Sequence, residues 1–208
     1  AKATQQLGSK LTGFLDLQIR GIDYKVEGTI SGPDNFDVDD QFTFFNPKAG
    51  LTYKKKKKQN IYFSYAKAQR EPNRTDYENG SPKPEKLNDF ELGWRINNEK
   101  VRVQTNLYWM EYQDQLVLTG AIDEVGAPIR QNVGKSRRVG LEVDATIQLA
   151  DQWLLKPNLA LSSNQNLDFY FKRDGVLQSL GKTKLAYSPG VVAGNALVFA
   201  PSTRFQLG

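Results

Sequence analysis

The chain has 208 residues, a net charge of +5, no cysteine and no histidine. These absences exclude disulfides, metal sites with Cys or His ligands, and catalysis by histidine within the chain. We therefore expect no enzyme activity and no cofactor. The sequence contains no apolar run long enough for a membrane-spanning helix. Its low mean hydropathy of −0.56 is nevertheless compatible with a transmembrane β-barrel, in which every second residue faces water.

Apolar and polar residues alternate with a period of two along most of the chain, which predicts about nine antiparallel strands. Residues 185–199 fit this pattern least well, which indicates a bulge or a glycine kink there. The last strand only begins at the end of the sequence. The predicted fold class is all-β, an antiparallel up-and-down meander. In chain order, its clearest strands are residues 11–20, 89–97, 101–112, 138–149 and 153–164.

Residues 89–112 form the most informative segment, with two alternating runs on either side of a turn at 97–100. In the first run, Phe90, Leu92 and Trp94 share one face, and charged or polar residues occupy the other. Both runs exceed the five or six residues usual in globular strands, and they match the roughly nine to eleven tilted residues that cross a bilayer. The segment is therefore interpreted as a transmembrane hairpin.

The connections between the predicted strands alternate between short and long. Tight turns at one end and extended loops at the other are typical of outer-membrane barrels. The short connections are predicted near residues 7–9, 56–60, 97–100, 150–152 and 201–203, and the long ones at 31–40, 69–84, 114–135 and 164–182. The acidic stretch from Asp34 to Asp40 lacks the pattern of a twelve-residue calcium loop, so no metal site is predicted.

Five consecutive lysines, at positions 54–58, account for the excess positive charge. Such a run is compatible with a nucleic-acid patch or with a solvated hairpin turn that has basic flanks. No aromatic RNA-binding motif accompanies it, so we favour the turn and expect no nucleic-acid partner.

Three segments carry family information: FNPKAGLTY at 45–53, NIYFSYAKAQREPNRTDY at 60–77 and KPEKLNDFELGWR at 83–95. Together they resemble the TonB-dependent outer-membrane receptors. The resemblance implies a barrel of about twenty-two strands around an N-terminal plug domain, of which residues 1–208 would be one partial barrel domain from the C-terminal half, with no plug and without the last strands. The alternation of short and long connections places the turn at 97–100 on the periplasmic side.

This resemblance also implies a location and partners. The protein is expected in the outer membrane of a Gram-negative bacterium, in contact with lipid and lipopolysaccharide. The family takes up scarce nutrients with energy from the TonB complex, which it contacts through the plug domain. The ligand is expected to be a small-molecule nutrient, most often an iron-siderophore or a similar metal complex, held by external loops and the lumen wall.

Two long loops carry the candidate ligand-binding residues, which could meet an anionic chelate through charge-assisted hydrogen bonds. The alternative for the first loop is that its cations form internal salt bridges with Glu71, Asp76 and Glu78. The second loop could instead contact lipopolysaccharide or hydrate the lumen. The candidates are Arg70, Asn73, Arg74 and Tyr77 on the first loop and Arg130 on the second, where Arg137 and Arg138 lie nearby.

Two other protein classes remain open from the sequence. One is a soluble β-sandwich that binds carbohydrate through its aromatic residues. The other is an outer-membrane barrel with a different task, such as an adhesin or a carboxylate-dependent enzyme. An open barrel fragment would leave unpaired strand edges in lipid, which is costly, so we do not expect this chain to transport by itself.

Overall fold

A computed structural model describes residues 1–29, 35–123, 126–173, 176–202 and 205–207. These residues form one eleven-stranded antiparallel sheet and one short helix. Parts of four predicted connections lie outside the described residues: 31–34 of the connection at 31–40, 124–125 of that at 114–135, 174–175 of that at 164–182, and 203 of that at 201–203. In chain order the elements are β1 (Lys2–Gln6), β2 (Leu11–Thr29), β3 (Asn35–Lys56), β4 (Gln59–Arg70), α1 (Arg74–Glu78), β5 (Glu85–Asn97), β6 (Val101–Ile122), β7 (Pro128–Ala150), β8 (Trp153–Arg173), β9 (Val176–Lys184), β10 (Val191–Ser202) and β11 (Phe205–Leu207).

The strands pair in chain order from β1 to β8, which confirms the predicted meander. The long strand β8 pairs with β10 along its first half and with β9 along its second half. Residues 191–199 pair with β8 without a register shift, so the bulge or kink predicted there is wrong. The departure from the sheet lies earlier, between β9 and β10, in a segment that contains Tyr187 at a φ of 52°. A single continuous sheet also makes the β-sandwich interpretation wrong, since a sandwich needs two packed sheets.

Several predicted long loops are in fact continuations of the strands. Strands β6 and β7 remain paired through Leu118 and Arg130, far beyond the predicted strand ends. The reason is a small core beyond the predicted strand ends, in which Val117, Val133 and Phe169 pack together with Leu185. Burial of these side chains stabilises hairpins whose local sequence is polar enough to resemble loops.

One face of the sheet carries continuous apolar rows that cross many strands. Each residue of the central row is directly opposite the next in the pairing register, and each side chain is exposed by more than a third of its surface. The row runs Leu51, Phe63, Leu92, Leu107, Leu141, Leu161 and Val191 across seven strands. An exposed apolar band this wide is typical of a surface that meets lipid.

The opposite face is polar, and some of its side chains lie flat against the backbone of the sheet. Rows on this face include Arg95, Gln104 and Asp144 in direct register. Aromatic rings lie over glycines of the adjacent strand: a Cβ built on Gly93 would be 2.0 Å from the Tyr62 ring, and one on Gly140 would be 2.4 Å from the Tyr108 hydroxyl. These two glycines therefore allow the tyrosines to lie flat against the wall.

Helix α1 lies in the connection between β4 and β5, within the predicted loop at 69–84. It has five residues, and no helix in the described part of the chain is long and apolar enough to cross a membrane. The ends of β4 and β5 carry this connection at the end of the sheet opposite the short turns, which we call the extended end.

Candidate functional site

The connection around α1 is ordered because the first turn of the helix is capped. The Asn73 side chain accepts a hydrogen bond from the Asp76 backbone N–H at 3.1 Å, and the Asp76 carboxylate accepts one from the Asn73 N–H at 2.9 Å. This reciprocal pair satisfies two donors that the first helical turn would leave unpaired. Arg74 and Glu78 form an ion pair of 2.7 Å one turn apart.

On one side, the α1 connection is attached to β2 and β3. Glu71 pairs with Arg20 of β2, and the Tyr77 hydroxyl donates a 2.6 Å hydrogen bond to the carboxylate of Asp40 on β3. The Tyr77 ring stacks on Tyr24 with 5.3 Å between centroids. Burial, and then the hydrogen bond to Asp40, raise the pKa of Tyr77 above its usual value, so the phenol keeps its proton and remains a donor.

On the other side, the connection is attached to β7. The Arg130 guanidinium lies 3.1 Å from the Asp76 carboxylate, whose side chain is only 1% exposed. The Asn132 amide accepts from the Lys83 N–H at 2.7 Å and donates to the Lys83 carbonyl at 2.9 Å and the Asp114 carbonyl at 2.6 Å. These contacts fix both the helix and the chain that follows it to the wall.

All these wall partners occupy the polar face of the sheet. Arg20, Asp40 and Arg130 have the same register parity as the polar rows described above. Asp76 contacts β7, and the adjacent helix residue Tyr77 contacts β3. In a flat sheet these two strands, four positions apart in the strand order, would be about 19 Å from each other. The sheet must therefore curve around α1, and the connection lies on its concave, polar side.

A cleft of about 530 Å³ remains between the connection and the wall. It is bounded by the chain after α1 and by β6 and β7. Its charged lining residues are of both signs, with Lys83 and Arg130 against Asp76 and Asp114, and its amide groups come from Asn79, Gln131 and Asn132. Such a surface presents hydrogen-bond donors and acceptors to a polar ligand.

The five predicted site residues fall in different parts of this arrangement. Arg130 lines the cleft, whereas the other four lie on or beside α1. Arg70 pairs with Glu85 at 2.8 Å, and Arg74 pairs with Glu78. Both arginines nevertheless keep more than half of their side-chain surface exposed, at 55% and 57%. The sequence singled out neither Asn132 nor the contact of Asp40 with Tyr77, because these hydrogen bonds join residues 49 and 37 positions apart.

No cluster of three or more metal-ligating His, Cys, Asp or Glu side chains is present among the described residues. Asp34, the first residue of the acidic stretch considered for calcium, lies outside them.

A match to a protein-family model identifies the kind of outer-membrane barrel to which the chain belongs. The model described as TonB dependent receptor-like, beta-barrel, matches residues 3–208. The chain belongs to this family. Sequence and structure thus agree on a receptor barrel of the Gram-negative outer membrane, whose apolar face meets lipid and whose concave face lines the lumen. The extended end faces the cell exterior, and the short turns face the periplasm.

Solved structures support the fold at low sequence identity. The copper transporter OprC superposes with a TM-score of 0.70 and 18% identity, over 97% of this chain and 32% of that protein. The ferric yersiniabactin uptake receptor FyuA from Yersinia pestis gives 0.67 and 17%, over 98% and 31%. The ferric-catecholate import receptor Fiu from E. coli K12 gives 0.65 and 16%, over 96% and 31%. No curated protein matches the chain in sequence.

The chain thus spans about a third of the length of these solved structures. These relatives are transport receptors rather than enzymes.

Proposed function

We propose that the protein containing this chain takes up an anionic metal chelate, of the iron-siderophore class, across the outer membrane. Energy would come from the TonB complex through a plug domain such as the family carries. The observation that carries the choice of ligand is the pair of half-exposed guanidiniums, Arg70 and Arg74, at the outer mouth of the lumen.

The two arginines are suited to an anionic ligand because each is anchored and still accessible. Glu85, which is 13% exposed, holds Arg70 and also accepts a 2.6 Å hydrogen bond from the Leu116 N–H. Glu78 holds Arg74 from the same helix. A guanidinium has five N–H donors, so one ion pair leaves several free for a carboxylate, catecholate or hydroxamate oxygen. We assign Asn73, Tyr77 and Arg130 to positioning α1 beside them.

A bare soft metal ion fits this chain less well than a chelate does. The sequence contains no histidine, no cysteine and one methionine, and these are the ligands that copper prefers. Recognition by this part of the barrel would instead use charge and hydrogen bonds to the organic shell of a complex. The lack of copper ligands in this chain therefore favours a ligand of the siderophore class over a copper ion.

Lipopolysaccharide is the proposed partner of a different arginine. Arg137 has the register parity of the lipid face, next to Glu111, and its guanidinium lies 5.4 Å from the centre of the Trp109 ring. A cation above an aromatic residue at the outer edge of the apolar band is well placed for a lipid phosphate. Its neighbour Arg138 faces the lumen and contributes to the hydration of the interior.

The double substitution Arg70→Gln and Arg74→Gln tests the ligand proposal. In the purified protein that contains this chain, we expect the dissociation constant for ferric tris-catecholate or ferric dicitrate, both of them anionic, to rise about tenfold or more, because each charge-assisted hydrogen bond contributes roughly 1.5–3 kcal/mol. Quenching of tryptophan fluorescence measures the binding.

The matched control is the double substitution Lys182→Gln and Lys184→Gln in β9, which also removes two cations. It should leave the affinity for the ferric probes unchanged. Equal affinity of the arginine variant and the unmodified protein for a probe that binds would contradict the assignment of the site. Failure of the unmodified protein to bind either ferric probe would contradict the ligand class.

A further inference from the structure

The lysines at 54–58 form the end of β3 and the turn before β4, at the periplasmic end of the barrel. All five are exposed. Lys55 is the extra residue of a β-bulge, because Lys54 pairs with Asn60 and Lys56 pairs with Gln59. A bulge bends the strand and redirects its side chains. The run therefore spreads its ammonium groups around a tight turn instead of placing them on two strict faces.

Neighbouring turns extend this basic surface. The Lys54 N–H donates to the Lys10 carbonyl at 2.7 Å, and the Asn97 N–H donates to the Lys58 carbonyl at 2.9 Å. These backbone contacts place Lys10 on one side of the run and the turn carrying Glu99 and Lys100 on the other. We call the surface formed by residues 54–58 with Lys10 and Lys100 the lysine turn.

Most of this positive charge is not neutralised within the chain. Lys58 pairs with Glu99 at 3.2 Å, and no other residue of the lysine turn has an ion pair in the described part of the molecule. Like charges this close repel one another, so the arrangement is stabilised when an anion lies beside it.

The position of the lysine turn relative to the bilayer indicates which anion this is. Tyr53 immediately precedes it and is 44% exposed on the lipid face, opposite Ile61. Ile61 is in turn opposite Trp94, which is 39% exposed. Exposed tyrosine and tryptophan beside a turn mark the level of the lipid headgroups. The ammonium groups therefore lie where phospholipid phosphates lie.

We propose that the lysine turn binds anionic phospholipid headgroups of the periplasmic leaflet of the outer membrane. The long lysine stems follow the apolar edge of the barrel, and their ammonium groups reach the phosphates. Lipid binding of this kind fixes the depth and tilt of the barrel at β3 and β4, and β4 leads into the α1 connection at its other end.

The test compares two variants of the protein that contains this chain, each without three lysines. The first is Lys55→Gln, Lys56→Gln and Lys57→Gln, which preserves the Lys58–Glu99 pair. The second is Lys135→Gln, Lys182→Gln and Lys184→Gln, on β7 and β9 at the opposite end of the sheet. Both lower the net charge equally, and all six positions are exposed.

Binding of fluorescent phosphatidylglycerol and of phosphatidylcholine is measured on the detergent-solubilised proteins. For the first variant we expect affinity for phosphatidylglycerol to fall about tenfold or more, since each lysine near an anionic surface contributes roughly fivefold. Affinity for phosphatidylcholine should not change, and the difference between lipids should vanish at roughly 1 M salt.

Three results would overturn the proposal. The first is wild-type affinity for phosphatidylglycerol in the first variant. The second is an equal loss in both variants, which would indicate bulk charge instead of a defined surface. The third is binding of an acidic peptide or of RNA to the lysine turn in preference to phosphatidylglycerol.

Discussion

Substituting Asp76 with alanine is expected to release α1 from the lumen wall while the barrel stays folded. The Asp76 carboxylate closes the reciprocal cap with Asn73 and pairs with Arg130. Loss of the hydrogen bond from the Asn73 N–H costs up to about 1 kcal/mol, while the N–H of residue 76 can still donate to the Asn73 side chain. Breaking a buried ion pair from one side costs about 3–5 kcal/mol. Because the Arg130 side chain is 28% exposed and can regain water, we expect the lower part of that range.

Hydrogen exchange of the protein that contains this chain measures this release. Protection across residues 71–84 should fall about a hundredfold, which corresponds to roughly 3 kcal/mol, while protection of β5 and β6 between residues 89 and 110 stays unchanged. Glu78→Ala, which removes an exposed pair from the same helix, is the control and should cost only about 0.3–0.5 kcal/mol. Equal exchange in Asp76→Ala and in the unmodified protein would contradict the anchoring role of Asp76.

The second large effect is expected from a charge on the lipid face. Leu107 lies in the central apolar row between Leu92 and Leu141, and it is 49% exposed. An arginine on the lipid face of a barrel costs about 2–4 kcal/mol at the midplane and less near the interfaces. We therefore expect Leu107→Arg to reduce the free energy of unfolding in vesicles by about 2 kcal/mol or more.

Gln104→Arg provides the matched control for this substitution. Gln104 lies on the same strand, faces the lumen and is exposed, so its replacement should change stability by less than about 0.5 kcal/mol. Urea unfolding in phosphatidylcholine vesicles measures both variants. If Gln104→Arg were as destabilising as Leu107→Arg, the two faces would be wrongly assigned.

The sequence predicts the transmembrane part of the sheet well because the signal there is local. Phe90, Leu92 and Trp94 define a face by period alone, and the structure places them on the lipid side with the turn at the predicted place. The outer parts of β6 and β7 were wrongly predicted as loop. Their strand structure depends on Val117 and Val133 packing against Phe169, and a local pattern does not contain this long-range contact.

The candidate site could be predicted only in part for the same reason. The Asn73 and Asp76 spacing is a capping pattern, and it could have indicated α1. The ion pair between Asp76 and Arg130 joins residues far apart in the sequence and requires the curvature of the whole sheet. Nothing near either residue in the sequence indicates that they meet. The charge types of the loop were predictable, whereas their pairing was not.

The central claim is that one face of this sheet meets lipid and the other lines an aqueous lumen. The chain has no cysteine. With any cysteine elsewhere in the protein that contains this chain replaced by serine, single cysteines along β6 between residues 102 and 109 can carry spin labels in the protein reconstituted in vesicles. Collision with oxygen should peak at 103, 105, 107 and 109, and collision with a water-soluble nickel chelate at 102, 104, 106 and 108. High nickel accessibility at both sets of positions would contradict the account.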